Sequence, residues 1–571
     1  MLKINIAGQN VDLPDNINIP LKLKNPMFHD VGSFSLNFNI PLTDRNKKTF
    51  NFLNRISNNL NGSIEEDCDI SFNIPLFKGY IKCNKSSKAG FKSSFYSDLG
   101  AFFSGAQKKN LPDLELGGDV IFADTPTKYA HYKATTNGEY PDYNMVMFPV
   151  RNDGFTGDAP VTAEMWQNRW FWEKQGGVDT SYFAKGNYSI TPFPYFAFVI
   201  KQAFLENGYS ILKNIFASDP DLVKLVVFNV NDTDWYERPS HSYNLSKHVP
   251  DISIASMIQN IKKRFNIGCF INSNSREVVI LKHEDIINDS DYIDITNKAS
   301  SEFETETFDN NGFILKFNQG DDEFWDENVK DILHSDRVQD PVATIGDLAG
   351  LSPDVGDIVL VEDEDNYYNY SPSGWILSSK GVQNNYIEGN EELTIESDLG
   401  YLANNLEEGD AGTSSGLTYT DFPTVTYYDW LIPYTSQLGN SWYPRFEAIE
   451  YPLRLLFYRG LVDSENPSYD YPLGSHDVYD YNGNKISDAN LALRWDGQYG
   501  IYENFWKNYL YWYLNIRKEI KLRINWAISD LANIKFYKKY RINRTDYLIK
   551  DIDINLTKTK INIGTTTLIK V

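Results

Sequence analysis

Period-two alternation is the dominant pattern along the chain, and its clearest stretch is Lys518–Ile528. Ile520, Leu522, Ile524 and Trp526 fall on one side, and Lys521, Arg523 and Asn525 fall on the other. A strand with one buried and one wet face has this signature. Strand-like text continues through Phe536–Asn543, Tyr547–Leu556 and Lys560–Val571. Residues 517–571 are therefore expected to form a rigid closing sheet, entered from an aromatic helix over Tyr502–Ile516. The other end of the chain reads the same way. Leu2, Ile4 and Ile6 alternate, and so does Ile17–Leu23, with Pro20 marking an edge. Phe34, Leu36, Phe38 and Ile40 alternate with Ser and Asn, and Thr43 or Asp44 can cap a short helix reaching Arg55. Strands over Cys68–Leu76 and Phe77–Asn84 are expected to pair, and residues 91–106 and 119–123 to add more.

The middle of the chain changes period. Phe196, Val199, Ile200, Ala203 and Phe204 make a helical stripe that Asn207-Gly208 ends. A second helix runs from Ile254 to Phe265, with Ser253 as its N-cap. A hairpin follows: Gly268–Ile271, a turn at Asn272–Asn274, then Glu277–Leu281. Residues 126–190 read as an aromatic loop region, its Trp and Tyr serving as core or interface in preference to a sugar platform. Asn311–Phe317 reads as a strand. Val342–Trp375 reads as a small three-stranded insert built on Asp357–Glu362, Tyr367–Tyr370 and Gly374–Ile376. Residues 405–418 read as a flexible loop, Ile449–Tyr458 as a buried strand and Val462–Asn490 as a long polar loop.

At 571 residues the chain is too long for one core and suggests about three to five domains. No apolar run approaches the roughly 18 residues of a membrane-spanning helix. The stretch Met1–Asn16 lacks the apolar core of a signal peptide, so folding in the cytoplasm of the producing cell is expected. Cys68, Cys83 and Cys269 show no CxxC spacing and read as buried free thiols. Charge changes the picture more. Residues 301–420 hold 27 acidic residues against four basic ones, which accounts for the whole formal charge of −23. Residues 517–571 are basic, with 13 Lys and Arg against five acids. The acidic segment argues against nucleic-acid binding there, because phosphate affinity rests on Lys and Arg. It reads as a solvated insertion, or as a surface facing a channel or a partner.

Catalytic and metal constellations are absent from the text. The seven histidines include no HExxH, and His241 and His248 stand seven apart in a loop without a further ligand. The acid clusters Asp321-Asp322-Glu323 and Glu362–Asp365 lack the central Gly and terminal Glu of a calcium loop. There is no P-loop, GxSxG or GxGxxG before a helix. Paired carboxylates are uninformative in a chain with 77 acids. The expectation is a structural protein, not an enzyme, with no catalytic residue, metal or cofactor.

Four stretches carry a resemblance. They are Asn25-Pro26-Met27-Phe28 with Gly32–Ser35 and Pro41–Asn46; the helix modules Pro192–Ile211 and Ile252–Leu281; Leu493–Gly497 with Tyr499–Tyr502 and Phe505-Trp506; and Tyr547–Ile552 with Gly564–Val571. In this order, over almost the whole chain, the text resembles tail or baseplate hub proteins of tailed bacteriophages that infect Bacteroidetes-type bacteria. The resemblance implies a β-rich, multidomain α+β fold with two tube-like β-barrel domains and helix-containing inserts. It implies a homotrimer that makes a ring on the tail tube, contacts other tail and baseplate proteins and carries the spike or adhesin parts. DNA is then only transient channel cargo, the location is the virion tail after assembly in the host cytoplasm, and no membrane is spanned.

On this reading the domains are an N-terminal ring-forming barrel at 1–125, an aromatic loop-rich region with a helix at 126–250, a helix-hairpin module at 251–300, an acidic segment at 301–420 with its β insert at 340–378, and the aromatic helix with the closing sheet or barrel at 421–571. Lys521, Arg523, Lys538, Lys539 and Arg541 are the candidate interface residues. The acids of 301–420 are expected to line or border the channel, and removal of Thr566–Val571 to abolish assembly. Two alternatives stay open: another tail component, such as a distal ring or a receptor-binding protein, and a cell-surface carbohydrate-binding protein.

Overall fold

The computed structural model describes residues 1–30, 32–55, 63–152, 166–168, 170–175, 178–183, 190–233, 242–307, 312–317, 341–353, 358–364, 366–371, 374–377, 385–387, 392–401, 404–407, 413–414, 417–422, 430–435, 451–465, 468–479, 485–495, 498–516 and 518–571. Its centre is one open, curled sheet of 14 strands, drawn from both ends of the chain. Numbered in chain order these are β1 (Leu2–Ile6), β2 (Gln9–Asn10), β3 (Asn18–Lys24), β4 (Phe34–Ser35), β5 (Phe38–Ile40), β6 (Ile64–Phe72), β7 (Ile74–Ser87), β8 (Gly90–Ser97), β9 (Tyr292–Asp294), β10 (Ala299–Thr307), β11 (Lys518–Ile524), β12 (Lys539–Ile542), β13 (Thr545–Thr557) and β14 (Ile561–Lys570). Their spatial order is β2-β1-β6-β7-β8-β4-β3-β13-β14-β11-β10, with β5 on β8, β12 on β13 and β9 on β12.

This order corrects the expectation of two barrels. No closed tube-like barrel is present among the described residues. β3 and β13 pair antiparallel from Asn18↔Thr557 to Lys24↔Asp551, so the N-terminal and C-terminal strands are halves of one sheet. Alternation specifies which face of a strand is buried and leaves open which strand lies beside it. Both halves alternate because both lay one face on a shared core that includes Ile4, Leu21, Leu23, Ile552, Ile554 and Leu568. A close approach between β7 and β8 adds one local requirement. A Cβ on Gly79 would stand 1.9 Å from the Tyr96 carbonyl oxygen, so only glycine fits there.

Local expectations fare differently. β11 ends at Ile524, earlier than the alternation does, but Leu522, Ile524 and Trp526 are buried and Arg523 is exposed, so the register stands. The run from Phe34 to Ile40 breaks at Leu36 and Asn37, and its phase flips. Leu36 is exposed, whereas Ser35 is buried because its Oγ accepts the Phe95 N–H at 2.7 Å. Thr43 caps helix α1 (Asp44–Thr49), which stops short of Arg55 because Asn51 and Phe52 take positive φ. The hairpin of β6 and β7 turns at Asn73, with φ of 65°, inside the strand expected over Cys68–Leu76. Within 91–106 only Gly90–Ser97 is strand, and Leu99–Ala106 forms helix α2. Helix α3 (Thr125–Thr135) lies where a loop was expected, capped by Asp124 on the Thr127 N–H.

Helix α4 (Phe196–Leu205) and helix α5 (Ile254–Phe265) follow the sequence reading, stripes and stops included. Ser253 Oγ accepts the Ser256 N–H at 3.1 Å, which satisfies one orphan donor of the first turn of α5. Ser253→Ala is expected to weaken this helix by about 1 kcal/mol, read as faster amide exchange over residues 256–260. Unchanged exchange would show that tertiary packing alone holds the turn. The hairpin Ile267–Asn272 with Glu277–Lys282 is present, as is the meander Ile358–Val361, Asn366–Ser371 and Gly374–Leu377, whose own small core holds Leu348, Val359 and Val361.

The long loop expected over Val462–Asn490 begins instead as a hairpin of Arg454–Glu465 with Ser468–Ser475, the first of which begins later than the strand expected from Ile449. Thr413–Ser414 is a strand inside the region expected as a flexible loop, and the strands Asn404–Glu407 and Leu417–Phe422 overlap its two ends. The rest of that region, the acid cluster at 321–323 and His241 lie outside the described residues. A π-turn at Tyr502–Trp506 leads into helix α6 (Lys507–Leu514), the expected aromatic helix.

Candidate assembly surface

The sheet has one long free edge. β10 pairs with β11 on one side, and no strand among the described residues pairs with its other side. Beyond Ala299 every residue of β10 is exposed on both faces. The register places Phe303 opposite Leu522 and Thr305 opposite Ile520, so these side chains continue the core face of β11. Leu522 is buried, yet Phe303 is 63% exposed: the apolar face runs past its own core and ends uncovered. The opposite face of β10 carries Glu302, Glu304 and Glu306. Glu302–Thr307 alternates perfectly between Glu and Phe or Thr, so period two marks the strand, while its charge alone reads as an acidic insertion.

The five basic residues expected at an interface fall into two groups. Lys521 and Arg523 lie on β11, next to the free edge, and Lys521 pairs with Glu306 of β10. That carboxylate raises the Lys521 pKa above its ordinary value through a hydrogen bond. Arg523 is exposed. Lys538, Lys539 and Arg541 sit at β12, on the far side of β13 and β14. Lys538 bonds Asp289 at 2.7 Å and Asp291 at 3.2 Å, and Lys539 is buried. Arg541 makes a two-pronged pair with Asp546 at 2.6 and 2.8 Å and stacks 3.4 Å over the Tyr292 ring. Its guanidinium holds the Asp546 carboxyl below the usual carboxylate range. The β12 trio thus ties β9 into the sheet, whereas the β11 pair stands one strand in from the free edge.

Cys68, Cys83 and Cys269 are buried free thiols. Among the described residues no group of three or more His, Cys, Asp or Glu is arranged to hold a metal ion, and no helix is long and apolar enough to cross a membrane. His248 lies in a short 3-10 turn with Nδ1 3.1 Å from Asn229 Oδ1.

No family model matches the chain, and no curated protein matches it. Among solved structures it is similar to the 43 kDa tail protein of prophage MuSo2 from Shewanella oneidensis. The identity is 8%, the match covers 100% of this chain and 97% of that one, and the TM-score is 0.29, too low for a fold to be transferred.

Proposed function

We propose that this chain is a structural protein of a phage tail: a baseplate hub whose copies close into a symmetric, trimeric ring between the tail tube and the distal spike or adhesin parts. The free edge at β10 carries the reading. An open half-barrel whose nine-residue edge strand has one side without a partner among the described residues is a template for another strand, and Phe303 is apolar surface that a neighbouring copy would cover. Strand addition across copies supplies main-chain hydrogen bonds without any catalytic residue. Arg523 and Lys521 then lie at the seam between copies, and the acids of β10 border the ring opening, where like charge would let DNA slide past without binding. The chain's work on this reading is non-enzymatic.

Native mass spectrometry tests it. A trimer supports a hub, a hexamer supports a distal tail ring, and a monomer at micromolar concentration overturns both. Phe303→Asp is expected to weaken assembly by tenfold or more, because it puts a carboxylate on the face that must be covered, on the order of 1.4 kcal/mol or above. Its fold is expected to survive, since Phe303 packs on little within its own chain. Removing Thr566–Val571 is not a clean test of assembly. These residues lie in β14, between β13 and β11, with Thr566, Leu568 and Ile569 fully buried, so the truncated chain is expected to lose the sheet itself.

A further inference from the structure

The glutamates of β10 limit what can pair with its free side. Glu302 and Glu304 are exposed and make no ion pair among the described residues, while Glu306 is held by Lys521. Antiparallel pairing of β10 with its own copy about a two-fold axis would bring this acidic row against itself, and like charges directly opposite each other destabilise a ladder. A strand that adds here is therefore one that carries Lys or Arg on that face.

The other half of the sheet offers such a strand. β7 runs past the end of β6. Ile64, the first residue of β6, pairs with Cys83, so Asn84–Ser87 have no strand on that side among the described residues. Lys85 on this overhang stands directly opposite Lys92 of β8. Both are exposed, as is Lys88 in the turn between the strands. The ion pair of this hairpin is made further down, by Lys82 with Glu65 at 2.8 Å, and Lys85, Lys88 and Lys92 make none among the described residues. Two like charges in register weaken a hairpin that stands alone.

The tip is nevertheless firmly held. Ser86 Oγ donates to the Leu53 carbonyl at 3.3 Å, and Phe91 stacks on Phe50 with ring centroids 4.5 Å apart. Gly90, with φ of 125°, lies so close to Ile40 that a Cβ would stand 2.3 Å from its carbonyl oxygen. A tip fixed in this way loses little freedom on docking. Its lysines are matched in sign and number by acids at the far end of the same sheet, which every copy carries.

We infer that the β7–β8 tip of one copy docks on β10 of the next, adding Asn84–Ser87 to the free side of β10 and setting Lys85 and Lys88 beside Glu302 and Glu304. The two surfaces differ, so the contact runs head to tail, as closure of a three-membered ring requires. The seam rests on the ring reading and gives it its two sides.

Native mass spectrometry of the full chain over a concentration series tests it, with a thermal midpoint for each variant. Lys85→Glu with Lys88→Glu is expected to weaken assembly by at least about tenfold, since like charges then meet across the seam. The midpoint of the dissociated chain is expected to be no lower, since the pair with Lys92 becomes one of opposite charge. Glu302→Lys with Glu304→Lys is expected to weaken assembly by a similar factor, and the chain carrying all four substitutions to regain most of what either pair lost. A parent chain that stays monomeric removes the ring reading and the seam with it. A parent that assembles, with either pair of reversals leaving assembly unchanged or with the fourfold variant no better than the doubles, overturns the seam alone and leaves β10 to a partner other than this tip.

Discussion

Replacing Asn25 with leucine is expected to destabilise the protein by about 3–6 kcal/mol, among the largest effects available to one side chain. Asn25 is fully buried where the two ends of the chain meet. Its Nδ2 donates to the Phe536 carbonyl at 3.1 Å and to the Ile549 carbonyl at 2.7 Å, and its Oδ1 accepts the Met27 N–H at 2.9 Å. Its own N–H donates to the Lys550 carbonyl at 3.0 Å. Leucine has the same branched skeleton, though bulkier, and keeps the last bond, but it removes the side-chain partners of two carbonyls and one N–H. Each such group costs roughly 1–3 kcal/mol. Asn25→Asp keeps only the acceptor and turns a carboxylate on two carbonyl oxygens, so it is expected to be no milder. Urea unfolding followed by tryptophan fluorescence reads both variants. A loss below about 1 kcal/mol would show that the register of β3 on β13 holds the seam without this side chain.

That side chain explains what was legible in the text and what was not. Asn25-Pro26-Met27-Phe28 stood out as a motif with no chemistry attached, and it is a staple between segments more than 500 residues apart. Leu493-Arg494-Trp495 and Phe505-Trp506 are similar. Arg264 of α5 stacks 4.5 Å over Trp495 and donates to the Leu493 carbonyl, while Trp506 Nε1 donates to the Arg264 carbonyl. Such residues are specified by distant partners, so a linear reading marks them as unusual without saying why.

Strands and helices with a single buried face were legible, because periodicity encodes that face directly: α5 and β11 follow it. Sheet topology was not legible, since the pairing of β3 with β13 leaves no local trace. Nor was β10 seen, because an edge strand exposed on both faces has no apolar stripe to betray it. Glu and Thr at successive positions satisfy alternation as well as Lys and Ile do, but hydrophobicity alone cannot see it.

Acidification from pH 6.5 toward pH 4.5 is expected to destabilise the chain steeply, through histidines held neutral inside it. His248 and His283 are buried, and burial pushes both down to about 3; at His248 a hydrogen bond to the Asn231 backbone works against this and Lys247 adds to it, and Lys262 adds at His283. The unfolded chain binds protons at these rings once the pH falls below about 6.5, whereas the native chain refuses them until about pH 3. Their contribution is therefore present above the unfolded pKa and lost as the pH falls through this window. The limiting slope is about 1.4 kcal/mol per pH unit for each ring.

His29, lowered to about 4 mainly by burial and then by Lys24 and Lys550, adds in the same direction with a smaller weight because it is partly exposed. Asp546 and Glu65, held low by Arg541 and Lys82, lose their support further down, while Asp98, Glu206, Asp285 and Asp551, all held high by burial, work in the opposite sense to the histidines. The buried histidines are expected to set the sign between pH 6.5 and 4.5. Thermal midpoints across that range, with calorimetric proton uptake at pH 5.5, should show between two and three protons bound by the histidines on unfolding. His283→Gln, whose amide nitrogen cannot titrate, should bring that uptake down by one. A pH-independent midpoint, or an uptake that His283→Gln leaves unchanged, would mean that water reaches these rings in the native state.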